Sequence, residues 1–183
     1  MVELIKVLWN ILLRKSDQMA LPNSMFLLFV VFLFYFLSQS VSGFTVSETP
    51  LVFIRSFFVD AILMIVFLRV LTQIFSSQDN YTRTLIALFG TGAMFNIMAS
   101  PLIIRFADIL NDSDLVESGD LPIWLPFLFF IIAIWSIMVM GHIFSRSMVK
   151  DKSSASSPPI SGVAVALLYM MINFLVHSSF LGE

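Results

Sequence analysis

LVFIRSFFVDAILMIVFLRVLTQIF, residues 51–75, decides the fold class. Apart from Arg55, Asp60 and Arg69 the run is free of charge, and it is longer than the roughly 20 helical residues that cross a hydrocarbon core of about 30 Å. An apolar helix of this length predicts a transmembrane span. Four further stretches of the same kind lie on either side, at 24–43, 84–105, 122–145 and 159–181. Composition agrees: 58% of the 183 residues are hydrophobic, 12% are charged, and the mean hydropathy is +0.95. Soluble domains carry about a quarter charged residues, so a water-soluble fold would lack the surface to stay dispersed. The 20 Phe and 11 Met suit an interior packed by dispersion forces. The expected fold is an all-α integral membrane protein, a bundle of five transmembrane helices.

The first stretch, MFLLFVVFLFYFL before SQSVSG (25–43), also has the look of a signal-peptide core. The residues ahead of it are too many for the charged leader of such a peptide, so it reads as a genuine span. Cations then set the topology. Lys6, Arg14 and Lys15 precede the first span, Arg69 and Arg83 flank the connection between the second and third, and Arg146, Lys150 and Lys152 follow the fourth. The alternate connections carry acids only: Glu48, and then Asp108, Asp112, Asp114, Glu117 and Asp120. The positive-inside rule places the cation-rich side in the cytoplasm, with the N-terminus inside and Glu183 outside.

Ahead of the spans, VELIKVLWNILLRK (2–15) sets Glu3, Lys6, Asn10 and Arg14 at steps of three and four, with apolar residues over the rest. This predicts an amphipathic helix in the cytoplasmic headgroup layer, anchored by Trp9 and by the cations Lys6, Arg14 and Lys15. Docking onto a partner protein is the other use for such a helix. The chain thus divides into an interfacial segment, 1–22, and a five-helix transmembrane domain, 23–183. Residues 150–158, KDKSSASSP, read as a Ser-rich linker before the prolines that open the last span. Residues 107–121 read as a solvated acidic loop without the EF-hand pattern.

Ionisable groups inside spans need a reason. Arg55 and Arg69 lie near the ends of the second span and can snorkel to the headgroups. Asp60 lies about 13 Å below the outer edge at 1.5 Å per residue, too deep for its short side chain to reach water. It must be paired, neutral or facing a polar crevice. Arg55 and Arg105 are the candidate partners, and an ion-handling role is the functional alternative. In the third span Gly92, Asn96 and Ser100 recur every four residues, beside Gly90 and ahead of Pro101, which should kink the helix. In the fifth, Gly162, Ala166, Asn173 and His177 share a face. These stripes read as helix–helix seams. Alternatively Asn96, Asn173 and His177 line a solute path with Asp60.

Cysteine is absent, which excludes thiol chemistry and cysteine metal sites. His142 and His177 fall on opposite sides under this topology and cannot share a metal, so neither a metal nor another cofactor is expected. No nucleophile–base set, phosphate-binding glycine loop or HExxH motif occurs, and no basic patch with interleaved aromatics for nucleic acid. The Gly-Thr-Gly at 90–92 sits inside a span. No catalytic residues are expected, and the chain reads as a non-enzyme.

The chain resembles the short bacterial members of the Yip1 family. The resemblance rests on the order of N-terminal segment, five spans and short C-terminus, on TRTLIALFGTGAMFNIMASPL with its proline, on IIAIWSIMVMGHIF and on ISGVAVALLYMMINFLV. It implies a bacterial inner membrane and a periplasmic C-terminus. The DLYGP-type signature of the trafficking branch is absent, so contact with small GTPases is not implied. Two functions are then expected. One is a membrane accessory, scaffold or assembly component that binds other membrane proteins or itself through the small-residue faces. The other is a small channel or transporter with a polar site around Asp60 and Asn96.

Overall fold

The computed structural model describes residues 2–47, 49–111, 124–149 and 161–180. The expectations for Glu48, for Asp112, Asp114, Glu117 and Asp120, and for the Ser-rich linker and Glu183 lie outside the described residues. Among the described residues there are six α-helices: α1 Val2–Leu12, α2 Met25–Val46, α3 Pro50–Ile74, α4 Tyr81–Asn111, α5 Trp124–Ser147 and α6 Gly162–Phe180. The last five are long and apolar enough to cross a membrane.

Helix ends follow local chemistry. The Leu27 N–H donates to Ser24 Oγ at 3.3 Å to start α2, and the Val52 N–H donates to Thr49 Oγ1 at 3.3 Å to start α3, where Pro50 needs no N–H partner. α1 closes with the Arg14 N–H on the Ile11 carbonyl and the Lys15 N–H on the Asn10 carbonyl. That paired pattern requires a left-handed residue at Arg14, whose φ is 56°. Ser76, with φ 52°, closes α3 the same way through Ser76 on Gln73 and Ser77 on Thr72.

α4 is the hub. Some 56% of its apolar window is buried within the protein, against 17% to 28% for the other four long helices. α2 runs parallel to it: Phe32 meets Phe89 with ring centroids 5.2 Å apart, and three residues further along each helix Tyr35 meets Gly92. α3 is antiparallel to α6, since Phe67 pairs with Tyr169 at 5.3 Å while Asp60, nearer the start of α3, meets Asn173 and His177 further along α6. Phe53 and Phe57 of α3 stack with Phe36 of α2, whose Gly43 leaves the gap that the Phe53 ring fills. α4 continues as a helix through Pro101.

The N-terminal segment departs from the expectation of a helix lying in the headgroup layer with its apolar face in lipid. Leu8, Ile11 and Leu12 are buried among the chain's own helices. Leu8 rests on Gly90, where a Cβ would come within 2.7 Å of it. On both sides of the Arg14 turn the chain is tied to α5 by three hydrogen bonds. Trp135 Nε1 donates to the Leu12 carbonyl at 3.1 Å, His142 Nε2 to that of Ser16 at 3.1 Å, and Gln18 Nε2 to that of Ile143 at 3.3 Å. The first of these satisfies a helix-end carbonyl that has no partner within α1. Trp9, Lys6, Arg14 and Lys15 stay exposed on the opposite side. The sequence pattern reports an apolar face, and the missing Cβ of Gly90 decides that protein rather than lipid covers it.

Candidate functional site: a polar cavity in the middle of the bundle

Asp60 sits well inside α3, about 15 Å from its first residue and about 21 Å from its last at 1.5 Å per residue. Its Oδ1 accepts from Asn173 Nδ2 at 2.6 Å and lies 2.7 Å from His177 Nε2. An ionised carboxylate can only accept, so a hydrogen bond to it from His177 requires a proton on Nε2, in the neutral and in the protonated imidazole alike. Sequence reasoning sought the partner of Asp60 in Arg55 or Arg105. The bonds at Oδ1 come instead from α6, and both arginines are exposed. The reason is register: Asn173 and His177 are one turn apart on one face of α6, and antiparallel packing brings that face across from Asp60.

Beside this cluster lies a cavity of about 370 Å³. Every long helix contributes to it: Tyr35 from α2, Asp60 from α3, Asn96 from α4, Ser136 from α5 and Asn173 from α6. The remaining wall is aromatic and aliphatic, with Phe89, Phe95, Tyr169 and the flexible thioethers of Met64, Met140 and Met170. Two lining hydroxyls are turned back on their own helices: Thr91 Oγ1 donates to the Ala87 carbonyl at 2.7 Å and Ser136 Oγ to that of Ala133 at 2.8 Å. Asn96 differs. Its Nδ2 is shut off from solvent and donates to no acceptor, an arrangement that costs about 1–3 kcal/mol until something accepts. The cross-helix bond expected of Asn96 is not made. Ser100, expected on the same seam, donates to the Asn96 carbonyl at 2.6 Å within α4.

The small-residue stripes divide between seams and site. Gly92 gives way to the Tyr35 ring, which a Cβ would meet at 2.9 Å, and Gly90 gives way to Leu8. Gly162 packs so tightly on α5 that a Cβ there would collide with the Gly141 carbonyl and Ser145 Oγ. Its N–H donates to that Oγ at 3.1 Å. Ala166 is fully buried, and Pro101 is exposed. The polar half of the α6 stripe, Asn173 and His177, belongs to the Asp60 cluster. Tyr35, Tyr169 and Ser136 are cavity residues that the sequence reading missed, because an aromatic or hydroxyl residue in a span has no signal of its own. No protein-family model matches the chain, and no match is found among curated proteins or solved structures. The resemblance to the Yip1 family therefore rests on topology and helix composition.

Among the described residues no group of three His, Cys, Asp or Glu gathers to hold a metal. His142 is committed to the Ser16 carbonyl, far along the bundle from His177. A larger cleft, about 600 Å³, opens between α4 and α5 around Leu102, Phe106, Leu125 and Phe129. Its wall is apolar throughout and offers nothing to orient a polar solute.

Proposed function

We propose that this chain is an integral membrane protein that takes a small solute or ion into the central cavity, as a small transporter or channel. The observation that carries the proposal is convergence: five apolar helices each supply residues to one cavity lined by the Asp60 carboxylate and the side chains of Asn96 and Asn173. A polar cluster in mid-bundle is costly in hydrocarbon and is kept where a polar species is handled. Asp60, Asn96 and Asn173 then bind the solute, and His177 holds the carboxylate in place.

The partner-binding reading drew on the small-residue faces. Gly90, Gly92 and Gly162 spend theirs inside the chain, on Leu8, Tyr35 and α5. The bilayer remains the expected surrounding of the exposed apolar surface.

The test is solute-jump electrometry and uptake on proteoliposomes containing the full chain. The panel spans charge classes: choline, glutamate and glycerol. A response to any one of them that Asp60→Asn and Asn96→Leu abolish supports the proposal. Silence to all three in correctly folded protein sinks it and returns the chain to the partner-binding reading.

A further inference from the structure

We infer that the Asp60–His177 pair is a proton-loading site that links the movement of the cavity's solute to the movement of a proton, an inference that rests on the solute-handling reading above. Three observations carry it.

The first is the contact itself. Asp60 Oδ1 and His177 Nε2 are 2.7 Å apart. Two bare acceptors at that distance would repel, so one proton lies between them, whichever atom holds it. The variable is then the other ring nitrogen. Nδ1 of His177 makes no hydrogen bond among the described residues. With Nδ1 bare the pair carries a net negative charge, and with Nδ1 protonated it is neutral. Loading is a single event: a proton from water bonds to the Nδ1 lone pair, and the shared proton stays on Nε2 or crosses to Oδ1. No bond between heavy atoms forms or breaks, and release runs the same steps backwards.

The second is position. Asp60 lies about 15 Å from the start of α3, while His177 lies about 4.5 Å from the end of α6, at 1.5 Å per residue. Since the two side chains touch, α6 ends about 10 Å short of the level at which α3 begins. Asp60 and Asn173 line the cavity and His177 does not. The imidazole, 27% exposed, therefore stands between the carboxylate of the cavity and the end of the bundle where α6 stops. That is the place of a relay.

The third is what surrounds the pair. Tyr35 on α2 and Tyr169 on α6 lie within electrostatic reach of Asp60, and Arg55 is five residues back on α3. α4 and α5 face it across the cavity with Asn96 and Ser136, which do not titrate. Toward the same end of the bundle α4 carries Arg105 and Asp108, both exposed. Of these side chains only the imidazole has one nitrogen on Oδ1 and a second to load. A net charge in mid-bundle is costly to carry through hydrocarbon and a neutral pair less so. A solute arriving at Asp60 thus either displaces the loaded proton or travels with it.

The experiment uses the full chain in liposomes. The chain has two histidines, so in His142→Gln protein made with isotope-labelled histidine the ring nitrogen signals belong to His177. Stepping the pH across the range in which the protein stays folded is expected to convert Nδ1 from bare to protonated. An Nδ1 that never changes overturns the inference. Uptake of choline, glutamate and glycerol is then followed with the membrane potential clamped at zero and a pH difference of one unit imposed. One coupled proton is worth about 1.4 kcal/mol per pH unit, so the transported solute is expected to accumulate about tenfold. Accumulation on the alkaline side marks co-transport and on the acid side exchange, and both support the inference. His177→Gln can still donate an N–H to Oδ1 but has no second nitrogen, so it is expected to keep uptake and lose the tenfold response. Uptake by the unaltered protein that ignores the pH difference overturns the inference and leaves the transport proposal standing, as does a response that His177→Gln keeps in full. Silence to all three solutes defeats both.

Discussion

Replacing Asp60 and His177 with alanine, singly and together, measures the contact on which the site depends. Both side chains are mostly covered, at 25% and 27% exposed. Oδ1 of Asp60 takes two short bonds, so Asp60→Ala removes both and strands Asn173 Nδ2 and His177 Nε2. At about 1–3 kcal/mol for each orphaned donor, reduced for the remaining exposure, the single variant is expected to lose about 2–4 kcal/mol. The pairwise part is smaller. Side-chain hydrogen bonds between membrane helices average about 0.6 kcal/mol and reach about 1.7. A charged acceptor at 2.7 Å belongs in the upper half of that range, so the expected coupling is about 1–1.5 kcal/mol. Equilibrium unfolding of the four proteins in mixed micelles, as SDS is raised and helicity followed, gives the numbers. His142, bonded to Ser16 elsewhere in the bundle, supplies a control cycle with Asp60 that should add. An Asp60–His177 coupling no larger than the ~0.3–0.5 kcal/mol scatter of independent sites would refute the contact, and the site with it.

Three further substitutions probe the frame around the site. Gly162→Ala places a methyl on the Gly141 carbonyl and Ser145 Oγ; forcing α6 off α5 costs about 1–3 kcal/mol, read as a lower unfolding midpoint. Leu12→Ala empties a fully buried position of the N-terminal segment; a loss toward the low end of the ~2–5 kcal/mol range is expected, with faster proteolysis ahead of Met25. A segment held only by lipid would show neither. Arg14→Gly relieves a left-handed residue and should stabilise by a few tenths to about 1 kcal/mol, whereas Arg14→Val should destabilise.

The five long helices were legible in the sequence, with ends about three residues off at most except in α4, which runs on to Asn111 where the reading stopped at 105, because hydropathy over about 20 positions is a property of the chain alone. Helix starts at Ser24 and Thr49-Pro50 were equally local. Asp60, Asn96, Asn173 and His177 were legible as candidates for the same reason, since a polar residue stands out against apolar neighbours. Their relations were not. Asn173 and His177 are more than a hundred residues from Asp60 along the chain, and no periodicity within one helix reports its rotation against another.

The sequence by itself determined which residues are helical, which are apolar enough for lipid and which side chains must find a polar partner. Tertiary structure alone decided who the partners are. It gave Asp60 hydrogen-bond partners on α6, covered the N-terminal helix with α4 and α5, and gathered residues from all five long helices around a cavity. The physical reason is that helix formation and hydropathy sum over neighbours in sequence. A cavity is instead the volume left where five packed surfaces fail to meet, and it depends on every helix's rotation and depth at once.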